Sequence, residues 1–378
     1  MLIHAEFKVK KLQAVATPHL LEITAKSLYR MQIKELLMEK NPETTHDRVN
    51  VIMKILPILA FLIPMVILYS LDPASFEATW KGRTFYIFFV WLASLEIILG
   101  WETLVPRVRK LASLRSAVFI VALLLPTVYV IVSSYGGLNA VIEEWAHANN
   151  VGWYNWMPLS MEYLAFAVLF ALLIWSEYGF AGLKDSAISS LFLVTIGMVY
   201  TIDNLYPDAS FTPFQALVPA TSTLAANFLN LMGYRTSFLP TQIPGAPLLQ
   251  VQSGAVSTAM SIAWPCSGVE SLLIYTVTIL LFLRRSPITW RRRTAYFAIG
   301  AIVTYFINIL RIATLFMIQL NTGGGYVLTA EAKAFHDYYG QLYSIMWIIS
   351  YPLIIMGSQL LLSKVRSWRV GRDLGAPK

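Results

Sequence analysis

The 378-residue chain is 57% hydrophobic and 13% charged, with a mean hydropathy of +0.59. These values lie far from those of soluble domains and indicate an integral membrane protein. The net charge of +8 does not indicate nucleic-acid binding, because the basic residues lie between apolar runs, where they orient membrane helices.

The first 50 residues have mixed charge and precede the first apolar run, so we expect no cleavable signal peptide. Within them, residues 17–40 predict an amphipathic helix on the inner membrane surface. We therefore expect three parts: a cytoplasmic N-terminal segment 1–50, a transmembrane domain 51–362 and a cytoplasmic basic tail 363–378.

Eight apolar runs are long enough for membrane spans of about 20 residues, which predicts an all-α polytopic fold. The runs cover approximately Val51–Ser70, Thr84–Trp101, Ala117–Tyr135, Met157–Trp175, Ala187–Asp203, Gly268–Leu283, Ala295–Leu320 and Tyr339–Leu362. We find no internal repeat, which disfavours a transporter built from inverted halves.

The charge of the flanking loops decides whether a ninth apolar stretch, 214–233, crosses the membrane; Pro219 interrupts it. Basic clusters at 106–115, 284–293 and 363–372 belong in the cytoplasm, and acidic loops at 136–150 and 203–211 belong outside. These assignments agree only if 214–233 does not cross the membrane. We predict a re-entrant or interfacial helix there on the outer side, with both termini cytoplasmic.

The outer loop 234–264 is rich in proline and ends in TAMSIAW, whose alternation is typical of a short strand. It leads directly to Cys266, the only cysteine, so an intramolecular disulfide and a cysteine-cluster metal site are excluded. We expect no metal and no cofactor.

Residues Ser267, Gly268, Val269 and Glu270 match the S-x-x-E capping box, which predicts Ser267 as N-cap with Glu270 reaching back to it. Cys266 then lies just before the first turn, where free N–H groups and the helix dipole favour the thiolate. The alternative is a cysteine that only fills space.

Arg311 is the only arginine inside a predicted span. A guanidinium at membrane depth is costly and usually marks a functional pathway. Thr304, Asn308 and Arg311 share one helical face, so Asn308 could hold the guanidinium. The alternatives are an arginine that snorkels outward or that pairs with a carboxylate such as Glu162.

His336 lies in an outer loop that enters the last span, and histidine exchanges protons near neutral pH. Asp337 follows it directly, but adjacent residues do not face each other on a helix, so we do not predict a Cys-His-Asp triad. Cys266, Arg311 and His336 nevertheless fall on the same side of the membrane. A thiolate, a cation and a proton donor form a plausible set for acyl transfer.

Three sequence blocks around these residues resemble the archaeosortase/exosortase family in content and order, with most similarity to archaeal members, of the thaumarchaeal type. The blocks are PCSGVESLLIYT, NILRIATLF and FHDYYGQLYSI, and the resemblance covers about residues 160–362. It implies a membrane-embedded cysteine protease and transpeptidase with Cys266 as nucleophile, Arg311 as the orienting or transition-state cation and His336 as general acid/base.

The resemblance also implies partners and a location. The substrates would be secreted proteins with a C-terminal motif, a transmembrane helix and a basic tail, cleaved on the outer face of the cell membrane and transferred to an anchor. The acceptor could be a lipid, a glycan or water. Asn308, Ser267, Gly268 and Glu270 are supporting site residues by helix spacing and capping only.

Three other classes of protein remain open on the residues alone. A transporter or channel would bind an anion at Arg311, and Cys266 would only pack. An acyl- or glycosyltransferase would more naturally need outward-facing paired carboxylates or a catalytic His-Asp set. The cluster of Glu143, Glu144 and His147 is the only candidate, and loop solvation explains it more simply. The intramembrane arginine speaks against a purely structural protein.

Overall fold

The computed structural model describes residues 43–374 apart from 79, 102–103, 105, 107–112, 208–210, 242–244 and 287. Only the backbone is described for 43–50, 212, 285, 360 and 362–374. The predicted surface helix at 17–40 and most of the first basic cluster lie outside the described residues. The chain divides into a unit of residues 1–56 and a unit of residues 57–378, and the second contains every predicted site residue.

Helices form most of the described chain, as the long apolar runs predict. They are α1 (Glu43–Leu71), α2 (Thr84–Leu99), α3 (Leu114–Ser134), α4 (Leu138–Ala148), α5 (Met157–Asp185), α6 (Ala187–Leu205), α7 (Val218–Leu231), α8 (Val269–Arg285), α9 (Trp290–Asn321), α10 (Ala330–Ala334) and α11 (Gly340–Leu374). A π-helical turn, Phe335–Tyr339, joins α10 to α11.

A helix lies at each of the eight predicted spans, which confirms the all-α polytopic fold. Within the described residues, six segments are long and apolar enough to cross a membrane: Val51–Leu71, Leu114–Ser134, Tyr154–Asp185, Ala187–Leu205, Trp290–Asn321 and Ala330–Gln359. Helices α2 and α8 are shorter, at 16 and 17 residues. At 1.5 Å per residue they reach about 25 Å, slightly less than a hydrocarbon core of roughly 30 Å.

The stretch predicted not to cross the membrane forms the short helix α7. Its 14 residues reach only about 21 Å, which supports a re-entrant or interfacial helix. Buried side chains of α7 pack against α9 and the sheet rather than form a separate span.

The loop 234–264 folds into an antiparallel sheet in the order β1-β2-β3. The strands are Arg235–Leu239, Leu248–Ser253 and Val256–Ser261, so the strand predicted from TAMSIAW is confirmed as part of β3. A two-residue turn joins β2 to β3, and its first residue, Gly254, has φ 59°, a left-handed value that suits glycine in such hairpins.

The sheet covers a hydrophobic core shared with α7 and α9. The members of this core are Ala225, Ala226, Leu229, Leu249, Val251, Ile262, Ile309, Ile312, Ala313, Phe316 and Leu320. Cys266 is partly buried against the same core. Burial of these apolar side chains fixes the sheet, and with it the start of α8, against the middle and C-terminal turns of α9.

Candidate active site

The segment that carries Cys266 is a 3₁₀ turn, Trp264–Ser267, between β3 and α8. Gly268 ends this turn with φ 90° and is itself the N-cap of α8. The predicted capping box is wrong, because the Ser267 hydroxyl donates to the Trp264 carbonyl at 2.6 Å and no side chain caps α8. The left-handed glycine turns the chain, so the Ser267 side chain points back into the preceding turn.

Hydrogen bonds from neighbouring elements hold this turn in place. The Asn308 amide donates to the Cys266 carbonyl at 2.9 Å, and the Thr221 hydroxyl donates to the Ser267 carbonyl at 3.0 Å. A Cβ atom at Gly268 would lie 3.1 Å from the Asn308 amide nitrogen, so glycine permits this close approach. The sequence predicted that Asn308 could hold the Arg311 guanidinium. In the structure, its amide nitrogen donates to the turn that carries the thiol.

A buried ion pair anchors the other end of the turn. The Trp264 indole N–H donates to Asp203 Oδ1 at 2.9 Å, and Asp203 Oδ2 lies 2.8 Å from Lys81 Nζ. The side chains of Lys81 and Asp203 are only 2% and 7% exposed. Lys81 Nζ also lies 3.9 Å from the centroid of the Trp153 ring. Sequence reasoning missed this cluster, since its members are far apart in the chain and match no motif.

The environment of the thiol differs from the prediction of a stabilised thiolate. Burial raises the pKa of Cys266 above its usual value; the Arg311 guanidinium lowers it, and the Glu270 carboxylate raises it. Desolvation of the thiolate therefore outweighs the charge of Arg311. The thiol is protonated at neutral pH, so a base must remove its proton before or during nucleophilic attack.

Arg311 lies on α9 and reaches the π-helical turn. Its Nη2 donates to the His336 carbonyl at 3.2 Å. A Cβ atom at Gly340 would come within 2.9 Å of Arg311 Nε, so the absence of a side chain there makes room for the guanidinium. The alternative partner Glu162 is occupied elsewhere, because both of its oxygens accept from Arg83 at 2.8 Å.

His336 is paired with the residue that follows it. Its Nδ1 lies 2.8 Å from Asp337 Oδ1, and Lys333 contacts the other oxygen of Asp337. The expectation that adjacent residues would not meet is wrong here. These residues lie in a π turn, which holds more residues per turn than an α-helix, so adjacent side chains diverge less.

All three predicted catalytic residues line one cavity of about 370 Å³. Asn308 lines it too, and the remaining walls are mainly apolar: Leu248, Ala259, Met260, Ser261, Ile262, Ile312, Leu315, Phe316, Tyr326, Leu328 and Phe335. A few convergent polar groups in an otherwise apolar cavity are typical of a small-molecule or peptide site. Among the described residues, no hydrogen bond links the Cys266 thiol to the His336 imidazole.

The other supporting residues lie just outside the cavity lining. Ser267 and Gly268 shape the turn and the start of α8. Glu270 lies in the first turn of α8, and its Oε1 is buried without a hydrogen-bond partner in the part of the chain that the structure describes. The same described residues contain no group of three His, Cys, Asp or Glu side chains suited to a metal ion.

Comparison with known proteins identifies one family. The sequence model described as Transmembrane exosortase matches residues 59–355, well over half of the chain and all three sequence blocks. No curated protein and no solved structure gives a match.

Proposed function

Because this multi-pass membrane protein belongs to the transmembrane exosortase family of sorting transpeptidases, we propose that it cleaves the C-terminal sorting signal of secreted surface proteins and transfers them to an anchor. One observation carries the assignment of residues. Cys266, Arg311 and His336 come from three separate segments and line one cavity. A nucleophile, a cation and a proton carrier are the groups that acyl transfer requires.

The raised pKa of Cys266 favours proton removal during attack over a preformed thiolate. The His336 imidazole accepts the thiol proton while Sγ bonds to the scissile carbonyl carbon. Arg311 stabilises the negative charge that develops on the carbonyl oxygen. The C–N bond then breaks, His336 returns the proton to the leaving amine, and a thioester remains on Cys266.

The thioester is resolved by a second nucleophile. An amine, a hydroxyl group or water loses a proton to His336, attacks the thioester carbonyl and releases the Cys266 thiol. A hydroxyl on a membrane lipid would anchor the product, whereas water would release it. Asp337 supports the role of His336 in both steps, because a proton held on Nδ1 by its carboxylate leaves Nε2 as the base.

We place the reaction on the outer face of the cell membrane, with both termini in the cytoplasm. The acidic loops on one side and the basic clusters on the other support this orientation. The transmembrane helix of the substrate would lie beside the protein in the bilayer, with its basic tail in the cytoplasm and its cleavage motif at the cavity.

Substitution of Cys266 tests this function against the transporter alternative. The probe is a secreted protein from the same genome with a C-terminal motif, a transmembrane helix and a basic tail, co-expressed with the enzyme. We expect Cys266→Ser to lose about 10³-fold or more of the processing, read as a mobility shift of the probe, because a serine hydroxyl is a far weaker nucleophile here.

The control is Thr195→Ser on the exposed face of α6, which leaves the cavity untouched. Normal processing by Cys266→Ser would contradict the proposal and favour an anion-handling transporter centred on Arg311.

A further inference from the structure

Strand β3 lies at the edge of the sheet, and its register shows which backbone groups face away from β2. The two-residue turn makes Ser253 and Val256 a hydrogen-bonded pair, and such pairs alternate along antiparallel strands. Thr258 and Met260 therefore also turn their N–H and C=O groups toward β2. The bond from Ile262 N–H to the Pro247 carbonyl, at 3.0 Å, continues this series.

Ser257, Ala259 and Ser261 have the opposite orientation, with backbone groups that point to the outer edge of β3. A contact from the loop after α9 confirms this. Gly325 N–H donates to the Ser257 carbonyl at 2.9 Å and Gly325 forms a parallel bridge with Thr258. The outer edge is thus able to pair with another stretch of backbone.

Among the residues that the structure describes, the protein's own chain covers only the first part of this edge. The Thr258 hydroxyl donates to the Gly325 carbonyl at 2.7 Å, and a Cβ atom at Gly324 would lie 2.7 Å from the Ser257 carbonyl oxygen, so glycines permit this close pairing. The chain then leaves the strand through Tyr326, which lines the cavity. In the part of the chain that the structure describes, no backbone partner reaches the outward N–H of Ser261.

The uncovered part of the edge opens into the catalytic cavity. Ala259, Met260 and Ser261 line the same space as Cys266, which follows Ser261 by five residues. Helix α9 adds the polar groups of Asn308 and Arg311 to this space and, beside them, the apolar side chains of Ile312, Leu315 and Phe316. A segment in this space would meet backbone donors and acceptors on one side and apolar side chains on the other.

We propose that the outer edge of β3 at Ala259–Ser261 binds the recognition segment of the substrate as an added strand. The occupant is a short extended peptide, held by main-chain hydrogen bonds, with alternate apolar side chains against α9. This binding mode directs the following peptide bond to Cys266. The inference rests on the proposed function, since it names how that site holds its substrate.

A peptide electrophile tests the pairing directly, because Cys266 is the only thiol in the chain. The probe is acetyl-Ala-Ala-Ala-chloromethyl ketone, whose chloride leaves as Sγ bonds to the methylene carbon. The rate at which this probe alkylates the purified full-length protein is divided by the rate with iodoacetamide. This quotient is then divided by the corresponding quotient for free cysteine. We expect a ratio well above one for the wild-type protein.

Ser261→Pro removes the outward N–H and leaves the backbone bonds to β2 in place, and it also removes the hydroxyl bond from Ser261 to the Ala246 carbonyl. We expect the lost N–H to lower this ratio about fivefold, as one lost hydrogen bond should. The matched control is Phe238→Pro. The register places the N–H of Phe238 at the outer edge of β1, away from the cavity, so this variant should keep the wild-type ratio. Equal ratios in the two variants would overturn the proposal.

A second measurement does not depend on folding of the variants. N-methylation of the probe, one amide at a time, should lower the rate at alternate amides only, because alternate groups of an added strand face β3. An equal effect at every amide would contradict pairing as a strand. If a decanoyl chloromethyl ketone, which lacks peptide bonds, reacted equally fast, the cavity would take a lipid chain instead. Failure of the proposed function would be recognised by a different result, because the Cys266→Ser variant would then still process the sorting substrate.

Discussion

At the scale of single residues, the reactivity of Cys266 depends on two opposing effects. The cavity wall removes water from the thiol, which raises its pKa, and the Arg311 guanidinium lowers it. A resting thiol is less easily oxidised or alkylated than a thiolate.

The pH dependence of alkylation measures this balance. With iodoacetamide, we expect the rate in wild-type protein to inflect above the roughly 8.5 of a free thiol. Arg311→Ala removes a cation that stabilises the thiolate, so the inflection should move to higher pH. Glu270→Gln removes a negative charge that disfavours the thiolate, so the inflection should move to lower pH.

Arg284→Ala is the control for these variants, because Arg284 is paired with Asp185 at the other end of α8. Its profile should match that of the wild type. An inflection below 8.5 in the wild-type protein would show that the helix end outweighs burial, as the sequence pattern suggested.

At the scale of elements, the 3₁₀ turn Trp264–Ser267 is held at both ends. Asn308 and Thr221 bond to the carbonyls of its last residues, and Asp203 accepts from Trp264 at its start. A short turn cannot bury enough apolar surface to fix its own conformation. Contacts from α6, α7 and α9 therefore determine where the thiol lies.

The buried pair of Lys81 and Asp203 gives a stability prediction. Lys81→Met leaves the Asp203 carboxylate buried without its cation, and we expect a loss of about 3–5 kcal/mol in the free energy of unfolding. The double variant Lys81→Met/Asp203→Leu should recover much of this loss. The measurement is unfolding of the purified protein by a denaturing detergent.

The exposed pair of Arg284 and Asp185 is the control, with side chains 40% and 25% exposed. Its disruption by Arg284→Ala should cost less than about 1 kcal/mol. If Lys81→Met cost no more than this, the pair would not anchor the turn.

At the scale of the whole molecule, the charge pattern and the helices lead to one orientation. The sheet and the cavity follow α7, on the side where the acidic loops lie. Basic residues between α8 and α9 lie at the opposite ends of those helices. We therefore expect the cavity to open outside the cell.

Single-cysteine labelling in the Cys266→Ser background tests this orientation. Asn149→Cys and Tyr326→Cys should react with a membrane-impermeant maleimide on intact cells, whereas Trp290→Cys should react only after lysis. Tyr326 and Trp290 are 72% and 79% exposed, so neighbouring side chains do not block access of the maleimide to either site. Labelling of Trp290→Cys on intact cells, with Tyr326→Cys protected, would reverse the orientation.

Sequence patterns alone predict much of this fold because membrane helices leave a strong local signal. Runs of apolar residues located a helix at every predicted span, and alternation located the strand that ends in Ser261. The three blocks around Cys266, Arg311 and His336 identified the family, which the match over 59–355 confirms. Their catalytic roles remain a proposal.

Local patterns gave wrong predictions where the same residues are compatible with several conformations. The capping box failed because Gly268 adopts a left-handed conformation, and the His336–Asp337 contact arose from a π turn that no short pattern indicates. Asn308 lies on the predicted face of α9. Only the packing of α8 against α9 shows that its amide reaches the Cys266 carbonyl.

The sequence by itself determined the class of molecule, the helices and the candidate site residues, because hydropathy and residue type act locally. Tertiary structure alone decided that these residues share a cavity, that Lys81 and Asp203 support the thiol-bearing turn, and that the end of an edge strand beside it has no backbone partner among the described residues. Desolvation, buried ion pairs and strand pairing depend on groups distant in the chain. Their effects on Cys266 therefore appear only once the helices are packed.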